Sequence, residues 1–179
     1  MNYTDVMLDL ETLGNKSNAA ILSIGAIEFN METGEMGESF YTTVDLQSCL
    51  DSGLKINGST FYFWMQQNDA ARKAVCEKGL HLASALQKFS GWMFERVEKI
   101  NIWGNGARFD IGLLEDAYVA CGYQEMPWHF RSERDVRTLV SFAPNIKANY
   151  PQMGVEHNPI DDCKHQIGYC YETWKLLYR

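Results

Sequence analysis

Five residues in this sequence have the types and spacing of phosphoryl-transfer chemistry. They are Asp9 and Glu11 in the run Asp-Leu-Glu-Thr, Asp110 after a Gly-Asn-Gly turn, His157, and an aspartate at the start of the last apolar stretch. Side chains two apart on a strand share a face, so Asp9 and Glu11 present two carboxylates to one surface. They emerge beside Leu8 and Leu10, where an uncompensated pair of charges is costly and cations would relieve the cost. Asp110 falls at a helix start, where the helix dipole and free N–H groups also favour a carboxylate, and Asn105 in the preceding turn tolerates left-handed backbone. His157 lies on a loop, from which an imidazole can approach a reacting water. Asp162 follows five residues later, beyond Pro159, in the first turn of the closing helix. Asp161 is its rival, and His165 could share its helix face; the order of residues leaves both alternatives open. Four carboxylates and one histidine are the inventory of a two-metal phosphodiesterase. Oxygen ligands suit Mg²⁺ or Mn²⁺, two ions about 3.5–4 Å apart clamp the attacking and leaving oxygens, and imidazole takes the proton of water.

The elements that must position these groups are legible as periodicities. Apolar runs at 5–10 and 20–29, a turn at 31–35 and a third run at 39–44 predict a three-strand meander. Phe61, Trp64 and Met65 at i, i+3, i+4 after Ser59 and Thr60 predict a helix, and 82–94 repeats that spacing. Residues 100–103 read as a strand closed by Gly104-Asn105-Gly106, followed by a helix carrying Ile111, Leu114, Ala117, Tyr118 and Cys121. All four prolines fall in the last third, a loop-rich connector with one helix expected at 135–142. A final helix runs from Pro159 through Leu177.

The chain has 179 residues, 46% hydrophobic and 22% charged, which fits one globular domain over 1–179. No apolar run reaches the roughly 18 residues of a membrane span, and the first residues lack the features of a signal peptide, so a cytoplasmic location is the expectation. Five scattered cysteines without a C-x-x-C pair argue against a zinc site or a disulfide framework. A net charge of −7 argues against broad capture of a polyanion on a basic surface. It does not exclude a nucleic-acid partner, because bound divalent cations would reverse the local field.

In this order, Asp9-Leu10-Glu11-Thr12, Asn105 to Asp110 and His157 to Asp162 resemble the three motifs of the DEDDh branch of the 3′–5′ exonuclease superfamily. The resemblance covers residues 5–176. Ser59 to Trp64 and Arg134 to Thr138 are similar to small phage and prophage exonucleases and to a mycobacterial adenylate-preferring exoribonuclease. It implies an α/β, ribonuclease H-like three-layer fold with a mixed central sheet of about five strands flanked by helices. It also implies hydrolysis of single-stranded RNA or DNA from the 3′ end to nucleoside 5′-monophosphates. By the same resemblance Asp9, Glu11, Asp110 and Asp162 hold two Mg²⁺ or Mn²⁺ ions, with Glu11 and His157 catalytic and His157 the general base. The family spacing selects Asp162 over Asp161 and gives His165 no role. Thr12, Leu13, Trp64, Asn105 and Phe109 are the implied nucleotide contacts, since base–aromatic stacking lets an acidic protein hold a strand end; Trp64 equally fits a core stripe. Arg108, Arg134 and Arg137 are candidates for phosphates. The other readings are a catalytically silent nucleic-acid-binding module and a phosphodiesterase of very short oligonucleotides. The many aromatics leave room for a homodimer interface.

Overall fold

The computed structural model describes residues 3–95, 100–106, 108–152 and 154–178. Its strands are β1 (Asp5–Thr12), β2 (Ile21–Phe29), β3 (Met36–Thr43), β4 (Asn101–Gly104) and β5 (Glu133–Asp135). They form one mixed sheet in the order β3-β2-β1-β4-β5. β1, β2 and β3 pair antiparallel as the expected meander, whereas β4 pairs parallel to β1 and β5 parallel to β4. The helices are α1 (Leu46–Asp51), α2 (Gly58–Gln66), α3 (Asp69–Val75), α4 (Leu82–Phe94), α5 (Asp110–Ala120), α6 (Val136–Val140), α7 (Pro144–Asn149) and α8 (Pro159–Leu177).

The sheet lies between two helical layers, and the alternation along β1 divides its side chains between them. Val6, Leu8 and Leu10 pack with Leu82, Leu86 and Phe89 of α4 and Leu114 and Tyr118 of α5. Met7 faces the other way, into a second core with Val136 and Val140 of α6 and Cys163, Ile167 and Cys170 of α8. A strand buried on both faces reads as a continuous apolar run, and β2 is buried at all nine positions. By the period of two, Asp9 and Glu11 belong to the Met7 face, under α8.

Two expectations shift in detail, and one strand falls where a loop was expected. The third strand begins at Met36, earlier than the aromatic run suggested. The helix expected at 135–142 is only Val136–Val140, because the Asp135 carboxylate caps it by accepting the Thr138 N–H (2.7 Å) and Pro144 opens a separate helix. β5, Glu-Arg-Asp, has no apolar alternation and owes its existence to pairing with β4.

Candidate active site

The end of β1, the start of α5 and the start of α8 bring the acidic residues together. Asp110, 1% exposed, accepts hydrogen bonds from the Leu10 N–H (3.2 Å) and the Asn105 N–H (2.7 Å), tying the Gly-Asn-Gly turn to β1. Gly104 makes this approach feasible, since a Cβ there would stand 3.3 Å from that of Asp110. Asn158 caps α8 with Oδ1, which accepts from the N–H groups of Ile160 (3.1 Å) and Asp161 (3.2 Å), and Pro159 occupies the first turn.

His157 precedes that cap in the left-handed region at φ +65°. For a residue other than glycine this conformation costs of the order of 1–2 kcal/mol, and such strain gathers at functional positions. Its N–H donates to Asp162 Oδ2 (3.0 Å), which closes the turn. The imidazole stands edge-to-face with Phe63 (centroids 5.2 Å apart) and Trp64 (5.7 Å), so α2 fixes the ring. Trp64 is itself buried in the core, and its indole N–H donates to the Thr12 carbonyl (2.9 Å), clamping the loop after β1.

Glu11, His157 and Asp162 each offer a ligand atom, and these atoms lie within 4.8 Å of one another. Burial first, then the charges of Asp110, Glu11 and Asp162, hold the Asp9 carboxyl well above its usual range. Burial, reinforced by Asp162 and Asp110, pushes Glu11 up to about 8. Burial raises Asp110 to about 6 against its backbone hydrogen bonds and the nearby Arg137, and raises Asp162 as well. The neighbouring carboxylates thus add to burial in raising the proton affinities of Asp9 and Glu11, a repulsion that a bound cation would relieve. Oxygen donors with one imidazole fit a hard divalent cation better than a soft one.

Asp162, rather than Asp161, faces this cluster; Asp161 turns away to accept from the Val155 N–H (3.0 Å) and Lys164 Nζ (3.0 Å). Asp9, His157 and Asp162 form a partition between two clefts of about 240 and 250 Å³. The first is walled by Leu10, Thr12, Thr60, Phe63, Trp64 and Phe109. Leu13 lines neither cleft: its N–H pairs with the Ala20 carbonyl (2.8 Å) and its side chain turns into the core. Asn105 lines the second cleft, apart from Thr12 and Phe109. Arg108 lies in a separate hollow with Glu115, Asp116 and Glu133, and Arg134 donates to backbone carbonyls of Arg131 and Glu133.

Sequence reading missed Leu10, Thr60 and Phe63 as walls, and it missed Gln166. The Gln166 amide donates to Asp9 Oδ1 (2.8 Å), and its place one turn after Asp162, at i+4, was the available signal.

Gly25 is the hinge of this assembly on the sheet. It pairs opposite Asp9, and a Cβ at this position would collide with the Pro159 side chain and stand 3.0 Å from the Pro159 carbonyl carbon. Gly25→Ala should therefore destabilise the fold by about 1–3 kcal/mol by lifting the first turn of α8, and with it His157 and Asp162, off the sheet. An unchanged thermal midpoint in that variant would refute this account of α8 docking.

The model of the 3′-5′ exoribonuclease Rv2179c-like domain matches residues 4–174. No curated protein matches the sequence significantly. Among solved structures, apo exonuclease I is similar with a TM-score of 0.68 at 16% identity, covering 99% of this chain and 45% of that one. This chain thus spans less than half the length of that relative. Pop2p of S. pombe, in its Mg²⁺- and Mn²⁺-bound form, has a TM-score of 0.67 at 14% identity, covering 98% and 84%. The nuclease domain of 3′hExo, a DEDDh family member bound to rAMP, has a TM-score of 0.65 at 14% identity, covering 97% and 92%. At these identities the likeness is one of fold, the ribonuclease H-like α/β arrangement.

Proposed function

This chain belongs to the 3′-5′ exoribonuclease Rv2179c-like domain family, and on that premise we propose that residues 1–179 are a single catalytic domain that removes nucleotides one at a time from the 3′ end of single-stranded RNA. The observation that carries the reading is the convergence of Glu11, His157 and Asp162 within 4.8 Å, beside Asp9 and above Asp110. Asp9, Glu11, Asp110 and Asp162 would hold two Mg²⁺ or Mn²⁺ ions. Bound there, the cations would offset the charge of the scissile phosphate and polarise it towards attack.

The residues of the chain do the rest. Phe63 and Trp64 hold the His157 ring against the partition, where it can take the proton of an attacking water as general base. Water adds to phosphorus, the bond from phosphorus to the 3′ oxygen of the preceding nucleotide breaks, and that oxygen takes a proton from solvent to become the hydroxyl of the shortened strand, while His157 returns its proton to solvent. The released product is a nucleoside 5′-monophosphate. In the first cleft, Thr12 and Phe109 would meet the terminal nucleotide. Trp64 supports them from the core side, and Leu13 anchors the loop from behind.

The test uses 5′-labelled single-stranded RNA and matched DNA, with Mg²⁺, Mn²⁺ or chelator and products resolved by length. A ladder shrinking from the 3′ end only with metal, faster on RNA, is the expected result. Cleavage in chelator, or internal cuts, would overturn the proposal. A series of shorter substrates separates a polymer exonuclease from an enzyme of very short oligonucleotides.

A further inference from the structure

The two clefts on either side of the Asp9–His157–Asp162 partition differ in charge. The first adds Glu11, Leu10, Phe63, Trp64 and Phe109 to the partition, and among the described residues no lysine or arginine lines it. The second, between the Asn105 turn, α7 and α8, is lined by Lys147, His165, Asn105, Gln166 and Tyr169, with Glu156 adding a carboxylate to those of the partition. The Lys147 ammonium lies 5.3 Å from the centre of the Tyr169 ring. Arg137 reaches the same side: its guanidinium carbon would be 3.4 Å from a Cβ on Gly106, next to Asn105, and its charge acts on Tyr169.

This second lining is also incomplete as protein interior. Gln166 is 3% exposed, and while its amide nitrogen serves Asp9, its Oε1 has no partner among the described residues. Asn105 Oδ1 and His165 Nδ1 lack one among the described residues too. Buried polar atoms are nearly always satisfied, so three orphans along one cleft point to a polar occupant.

A phosphodiester held on the partition has two arms, a terminal nucleoside and the rest of the strand. Only the rest of the strand carries further phosphates. Resting on the exonuclease reading above, we infer that the second cleft is the strand channel. The terminal nucleotide occupies the first cleft, and the sugar-phosphate chain on its 5′ side leaves past Asn105 and Gln166, with Lys147 and Arg137 meeting its phosphates. In a chain of net charge −7, these two cations would supply the local attraction that the overall field does not.

The experiment compares an RNA decamer with uridine 5′-(p-nitrophenyl phosphate), which has a nucleoside for the first cleft and no strand for the second. Lys147 is exposed on α7, so its replacement leaves the core intact. In Lys147→Gln the ratio of kcat/KM for the decamer to that for the ester should fall about tenfold, through KM. The slope of log kcat/KM against log salt for the decamer should become shallower by about 0.7, the value of one phosphate contact on a single strand. Lys147→Arg should retain both ratio and slope. A Lys147→Gln protein with the ratio and slope of the unaltered chain would overturn the channel. So would an unaltered protein that cleaves the ester and not the decamer. Cleavage of neither substrate would instead bring down the exonuclease reading, and the channel with it.

Discussion

His157→Asn should lower kcat by about 10²–10⁴-fold, the usual contribution of a general base, while the protein stays folded. Asparagine is the informative replacement because His157 sits at φ +65°. Asparagine tolerates that backbone better than most residues, so the Asn158 cap and the hydrogen bond to Asp162 survive. What is lost is the imidazole beside Phe63 and Trp64 and the ring nitrogen that would accept the proton of the attacking water. The loss should fall on kcat more than on KM, as expected of a group that acts in the transition state. His157→Ala should lose as much activity and some stability besides, since alanine pays more for the left-handed conformation. Near-normal turnover in a folded His157→Asn protein would remove the histidine from the mechanism.

Glu11→Gln should abolish most turnover and yet raise the melting temperature of the metal-free protein at pH 8. The glutamate is 8% exposed and its carboxyl is pushed up to about 8 by burial and by Asp162 and Asp110. Folding therefore raises its affinity for a proton above the ordinary value of 4.5. The folded state gains from that proton below the ordinary value and loses the gain as pH rises through about 8. Asp110, raised to about 6, acts in the same direction over a lower window. In chelator, the unaltered protein should thus melt several degrees lower at pH 8 than at pH 5, and Glu11→Gln should flatten that dependence.

Divalent cations should reverse it. At a hundredfold excess over Kd a ligand specific to the folded state adds about 2.7 kcal/mol, roughly 5–11 °C for a chain of this size. The increment should be large at pH 8, small at pH 5, where protons compete for the carboxylates, and much reduced in Glu11→Gln. A metal-free midpoint that rises from pH 5 to pH 8 would contradict the proposed charge cluster.

The sequence determined by itself what local patterns encode. Apolar runs marked β1 and β2, and the period of two put Asp9 and Glu11 on one face; helical spacing located α2, α4, α5 and α8; and the three acidic motifs in order carried the family. These features depend on neighbours within a few residues, where backbone geometry alone decides which side chains share a surface.

The tertiary structure decided everything that depends on how the layers meet. Residue types alone leave Asp161 and Asp162 open and the family spacing selects Asp162; the docking of α8 over Gly25 is what turns Asp162 towards Asp9 and leaves Asp161 to Lys164. Trp64 has the spacing of a core residue and a place in the site, and its bond to the Thr12 carbonyl across 52 positions lets it serve both. Gln166 meets Asp9 across 157 positions, and β5 exists only by pairing with β4. The two clefts have no sequence signature at all, because a cleft is the space that packed elements fail to fill, and its lining comes from every part of the chain.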